Sequence, residues 1–440
     1  MKSLYLNTRL FLTIGIIGFL FLVAYIYPSI LFLVKLLVAG LLAVILVDSL
    51  LLFRIKGIKG RRIIGKKFSN GDQNSVNLYI ENRYSYPTEI QVIDEVPVQF
   101  QVRDTEYKSK IASQKTQQIA YKLRPTQRGE YIFGHLNVYA SSPIGFVSRR
   151  YQFEPKETPI PVYPSFLQMR KYELMAISNR LSEYGIKKMR RIGQSQEFEQ
   201  IRNYVEGDDY RNINWNSTAR RNRLMVNQYQ DEKSQRVYSV IDKGRSMQMP
   251  FDGMSLLDYA INAALVISNI AIKKEDKAGL VTFNHKISTT IKADKVGAQM
   301  RRIQEALYNQ ETNFLESDFE KLYALFRTKL SNRALILLYT NFESSSALQR
   351  QLPYLRKLAR QHVLVVIFFE NTELYTYAHQ KTTDVTSVYD KIIAEKFVYE
   401  KKHIVKDLNK YGIHAVLTAP ENLTVNTINK YLELKARGFI

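Results

Sequence analysis

The stretch Val237-Tyr238-Ser239-Val240-Ile241-Asp242-Lys243-Gly244-Arg245-Ser246 decides the C-terminal fold. Its mostly apolar first half ends abruptly in a carboxylate, a glycine and a hydroxyl, the pattern of a buried strand leaving a sheet. Downstream, helical periodicity over 256–273 leads into an apolar strand at 278–283 and an edge strand at 287–291. Helices are predicted at 296–308 and 315–330, then buried strands at 334–339 and 363–369. Further helices fall at 347–360, 389–411 and 425–436, with a last strand at 415–417. Continuous apolar strands alternating with amphipathic helices imply a mainly parallel, doubly wound α/β domain over 235–440. Ligands of such sheets sit outside the carboxyl ends of the strands, which directs attention to Asp242 and Ser246.

Upstream, residues 166–234 read as a connector. Arg202, Gly207-Asp208, Arg211, Trp215 and Ala219-Arg220 interleave opposite charges with the single tryptophan of the chain. Gly-Asp is a turn signal, and the flanking guanidinium groups can pair with a carboxylate or stack on the indole. A structural clamp is the expectation, with partner docking as the alternative. Residues 75–165 alternate with period two and are broken by Pro87, Pro125, Gly129 and Pro143, as expected of an antiparallel sandwich-like domain. Val96-Pro97-Val98-Gln99-Phe100-Gln101-Val102 reads as one of its strands. Asp94, Glu95 and His135 lack metal-ligand spacing among themselves, so this domain is expected to be a spacer or partner-binding module.

The N-terminus is of a different kind. Residues 10–27 carry no charge, and 30–53 are interrupted only by Lys35 and Asp48, each near enough to an end to reach the interface. They form a predicted transmembrane helical hairpin over 1–53, followed by a basic juxtamembrane linker at 54–74. Residues 1–67 hold ten basic side chains and one acidic one, and the positive-inside rule then places both termini and the soluble domains in the cytoplasm. The 440-residue chain has 63 Lys plus Arg against 41 Asp plus Glu, a net charge of +22, so much of its basicity is topological and a nucleic-acid partner is not expected. Zero cysteines exclude disulfides, thiolate metal sites and thiol nucleophiles. Gly60 to Lys67 mimics a phosphate loop but puts Lys67 where a magnesium-binding hydroxyl belongs, and it follows a membrane helix instead of a strand.

The connector signature, followed by a strand ending in Asp242, resembles the bacterial domain of unknown function number 58. The resemblance implies two membrane helices, a β-rich segment and a C-terminal von Willebrand factor A-like domain, placed in the bacterial inner membrane. It also implies a degenerate metal-ion-dependent adhesion site of Asp242, Ser246, Thr312 and Asn341, with Gly244 standing where the family has its first serine. One carboxylate holds a hard divalent cation poorly, so the expectation is no cofactor beyond weakly bound magnesium or manganese. Gln248 breaks the nucleophile-elbow pattern after Ser246, and no catalytic residue is assigned. The implied role is non-enzymatic: a membrane-anchored adaptor working with a MoxR-type AAA+ ATPase on client proteins or envelope components. The alternative is a cation-dependent hydrolase at the cytoplasmic membrane face.

Overall fold

The computed structural model describes residues 3–102, 104–153, 159–177, 196–206, 208, 210–231, 234–312, 314–380 and 385–439. They divide into two compact units, Met1–Tyr163 and Pro164–Ile440.

The first unit opens with a short strand, β1 (Leu4–Leu6), then α1 (Thr8–Ile26) and α2 (Leu31–Phe53). Both helices are long and apolar enough to cross a membrane, and nearly all their side chains face outward. Ten strands follow: β2 (Ile58–Ile63), β3 (Phe68–Ser69), β4 (Asn74–Asn82), β5 (Thr88–Asp94), β6 (Glu106–Ile111), β7 (Thr116–Leu123), β8 (Gly129–Tyr131), β9 (Leu136–Ser141), β10 (Val147–Phe153) and β11 (Ile160–Tyr163). They form sheets ordered β1-β10-β9-β5-β6, β2-β4-β7 and β3-β11-β8 around one core, with alternate residues of β4 and β5 buried.

Two expectations about its strands fail here. Residues 54–74 are not a linker, because β2 pairs antiparallel with β4 and β3 pairs with β11. The alternation of β2 is hidden in sequence because one inward position is Arg62, whose guanidinium is held by Asp94, itself also bound by Tyr121. The run 96–102 is not a strand either. Pro97 offers no N–H, Val98–Phe100 is a 3-10 turn, and Gln101 takes a left-handed φ of 53°.

Asp48 does not reach outward as expected. It is fully buried in this unit and accepts the main-chain N–H groups of Phe146 and Val147 at 2.9 Å each, as well as the Ser142 hydroxyl. One turn later, the Leu52 carbonyl, left without an intrahelical donor, accepts from Tyr84 Oη at 2.7 Å and Arg149 Nη1 at 2.8 Å. The Leu51 carbonyl accepts from Tyr86 Oη at 3.0 Å. The end of α2 is thus capped by the loop between β4 and β5 and by β10.

The second unit begins with α3 (Phe166–Ile177), then β12 (Gln196–Asn203), α4 (Trp215–Arg221) and β13 (Met225–Asp231), where β12 and β13 pair antiparallel across α4. Next come β14 (Arg236–Asp242), the tiny pair β15 (Pro250–Phe251) and β16 (Met254–Ser255), α5 (Leu256–Lys273), β17 (Lys277–Phe283) and β18 (Ile287–Asp294). They are followed by α6 (Gln299–Tyr308), α7 (Phe319–Thr328), β19 (Leu335–Tyr339), α8 (Ser345–Gln361) and β20 (Val363–Phe369). The unit ends with α9 (Thr372–His379), α10 (Val385–Lys410), β21 (His414–Thr418) and α11 (Leu423–Ala436).

Its six-stranded sheet has the order β18-β17-β14-β19-β20-β21 and is parallel except for β18. Alternate residues of each strand feed opposite cores. Val237 and Ile241 pack with α5, α6 and α11, while Tyr238 and Val240 pack with α7, α8 and α10. Coverage on both faces explains the unbroken apolar strands and makes the sheet doubly wound. Helix α5 also has the length and hydropathy of a membrane span, but 83% of its apolar window is buried, so it is a core helix. Helix α3 packs on α5, with Glu173 between Asn269 and Lys273 at 3.2 and 2.9 Å. The stretch read as a connector therefore starts and ends inside this unit.

Candidate functional site

The strand order reverses between β14 and β19, and β14 ends there in Asp242. Asp242 is 2% exposed and saturated with donors. Its Oδ1 accepts from Gly244 N at 2.8 Å and from the Ser317 hydroxyl, and its Oδ2 accepts from Thr340 Oγ1 at 2.6 Å. Burial pushes the carboxyl above its ordinary range, and these three bonds oppose the shift. The loop after Asp242 is fixed on both sides, by Lys243 N to the Phe283 carbonyl at 2.8 Å and Arg245 N to the Leu315 carbonyl at 3.1 Å.

Asp242, Ser246 and Asn341 line one polar cleft, together with Gly244, Ser317 and Thr340. Thr312 braces it from the side, donating to the Lys243 carbonyl at 2.8 Å. Gly244 is more than a missing serine. A Cβ there would collide with Ser317 Oγ and stand 3.0 Å from Asp242 Oδ1. Ser317 thus supplies, from the segment before α7, a hydroxyl that position 244 lacks.

Asn341 is held by a cation. Its Nδ2 donates to the Ser246 carbonyl at 3.3 Å, while its Oδ1 accepts from Lys401 Nζ at 2.7 Å. Lys401 also donates to the Phe342 carbonyl at 2.5 Å, and burial pulls its pKa down to about 8 against the attraction of Glu343. A divalent cation fits this donor set poorly. Asp242, the one carboxylate among the four predicted ligands, already has three donors, and the Asn341 oxygen faces an ammonium group, although Glu316 and Glu343 also line the cleft. Among the described residues, no three acidic or histidine side chains are grouped to hold a metal.

Ser317, Thr340 and Lys401 were not among the candidates. Thr340 lay beside one, in Tyr339-Thr340-Asn341, but Ser317 carries no motif and Lys401 sits in a run of charges on a long helix, where solvated lysines are the rule.

In the signature, Arg202 grips Asp208 through both guanidinium nitrogens, at 2.8 and 2.6 Å, and Val205 N adds a bond at 2.9 Å. Arg202 holds the Asp208 carboxyl below its usual range. Asn214 caps α4 by accepting from Ser217 N at 2.9 Å. The expected indole clamp is not buried: Trp215 opens α4 at 68% exposure, and Arg220 is exposed in its last turn. With its ring largely in water, Trp215 adds little to packing. Gly207 and Asn313 lie outside the described residues, as does the side chain of Arg211.

Residues 200–375 match the model of a family described as protein of unknown function DUF58. That stretch runs from β12 into α9, so it contains both the signature and the cleft, whereas Lys401 lies beyond it. The chain is also 25% identical over 221 residues to the uncharacterized protein YeaD of Bacillus subtilis (strain 168), a match covering 48% of this chain and 52% of that one. The similarity thus spans about half the length of this curated relative. Among solved structures, a PapD-like domain of human CEP192 aligns over 23% of this chain and 87% of its own at 14% identity, with a TM-score of 0.18. Proximal thread matrix protein 1 from the mussel byssus aligns over 46% of this chain and 47% of its own at 10% identity, with a TM-score of 0.26.

Proposed function

We propose that this chain is a membrane-anchored, non-enzymatic adaptor that presents the carboxyl ends of a von Willebrand factor A-like sheet to protein partners. In this reading a MoxR-type AAA+ ATPase supplies the energy for maturation or assembly of client proteins. The observation that carries it is the cleft around Asp242, where the central carboxylate has donors on both oxygens. A group bound in that way offers fixed dipoles to a partner and is poorly placed to exchange protons with a substrate. The exposed Trp215 and the long apolar N-terminal helices fit the same role, one as contact surface and the other as anchor. Positive-inside reasoning puts the body of the chain in the cytoplasm, where an AAA+ ATPase has access to it.

Affinity purification of the full chain from a detergent extract, with and without ATP, tests the proposal. An AAA+ ATPase should co-purify in a nucleotide-dependent manner and be lost when residues at the cleft mouth, such as Arg245 and Arg350, are changed to glutamate. Recovery of the chain without any ATPase in both conditions would overturn the partnership. Digestion of the C-terminal unit by protease added to intact cells would overturn the orientation.

A further inference from the structure

A second cavity, of about 280 Å3, shares Asn341 and Glu343 with the cleft. Its walls are mostly apolar, with Phe251, Phe369 and Phe397 among them, yet they carry three carboxylates. Glu343 faces the Lys401 ammonium and offsets its charge. Glu370, just after β20, and Glu373, in the first turn of α9, have no ion-pair partner among the described residues. Lys401 also lines the cavity, but its ammonium is spent on Asn341 Oδ1, the Phe342 carbonyl and Glu343, which leaves the charges of Glu370 and Glu373 uncompensated.

We propose that it receives the side chain of a lysine or arginine carried by a partner polypeptide, with the aliphatic stem against Phe251, Phe369 and Phe397 and the charged head at Glu370 and Glu373. Long basic side chains bury their methylenes and keep their heads at polar groups, and aromatic faces attract the cation as it enters. A neutral apolar ligand would cover two carboxylates without compensating them, and an anionic one would be repelled by them. The inference rests on the adaptor reading only for the source of the side chain.

The test uses the full chain in detergent and blocked amino acids as probes, with binding followed by saturation-transfer NMR. N-acetyl-lysine amide and N-acetyl-arginine amide should bind, and N-acetyl-norleucine amide, the same stem without charge, should bind about tenfold more weakly. Glu370→Gln with Glu373→Gln should erase that preference at unchanged melting temperature, and Phe397→Ala should weaken all probes. Equal binding of the norleucine probe, tighter binding of N-acetyl-glutamate amide, or a preference that survives the double variant would overturn the site. Binding of free lysine but not of the blocked amide would overturn the polypeptide source. Failure of the probes with the ATPase still co-purifying would remove this pocket and leave the adaptor reading standing.

Discussion

Lys401 Nζ lies 2.7 Å from Asn341 Oδ1, so one oxygen on the wall of the polar cleft is already taken by a cation of the chain that reaches it from the second cavity. A tethered ammonium competes for that oxygen at a high, fixed effective concentration, whereas a free metal must first shed water. Magnesium or manganese titrated into the full chain should give no dissociation constant tighter than about 1 mM. A low micromolar constant, abolished by Asp242→Ala, would contradict this account.

Gly244 and Ser317 should behave as a coupled pair. Gly244→Ala places a Cβ against Ser317 Oγ and is expected to cost about 1 to 3 kcal/mol through overpacking. Combining Gly244→Ser with Ser317→Ala moves the hydroxyl across the contact and should recover most of that loss. Thermal melting of the single and double variants reads the coupling, and strictly additive losses would refute it.

Asp48→Ala leaves the Phe146 and Val147 N–H groups without their acceptor. The expected loss is about 2 to 4 kcal/mol for two orphaned donors, seen as faster proteolysis between residues 142 and 147. Lys35→Ala, in the same helix, should have little effect on that cleavage rate.

His362 is 3% exposed, and neither ring nitrogen has a hydrogen-bond partner. Burial depresses its pKa below the ordinary 6.5. The unfolded chain therefore binds this proton first, so stability is complete above about pH 6.5 and falls as the pH drops toward the folded value. His362→Leu should remove part of the acid sensitivity between about pH 7 and pH 5. His414, lowered by burial and by Lys430, should retain another part. Parallel pH profiles for the wild type and His362→Leu would exclude the buried imidazole as a source.

Trp215→Ala should change stability by no more than about 0.5 kcal/mol, because the ring is exposed. Arg202→Ala, by contrast, should speed hydrogen exchange at Val205, whose N–H shares Asp208 with the guanidinium. A large drop in melting temperature for the tryptophan variant would restore the clamp reading.

The doubly wound sheet was legible because its strands are covered on both faces and so read as continuous apolar runs, as at Val363–Phe369. The two N-terminal helices were legible from the length of their apolar runs, of which only the second carries charges, Lys35 and Asp48. Two elements were missed for different reasons: β2 turns Arg62 inward to Asp94, and β1 is only three residues long, too short to show a period. In the cleft, Asp242 stood out because it ends a strand. Lys401 lies 60 residues beyond Asn341 on a helix with no local sign of where its ammonium ends up.

The pairing of Leu4 with Arg149 has a consequence for synthesis. The first strand of the chain leaves the ribosome long before the strand it joins, and both apolar helices come between them. Both helices, long and apolar enough to cross a membrane, are complete while the edge strand that will cover β10 still has no partner. That edge of the sheet cannot close until β10 has been made, by which time both apolar helices are complete.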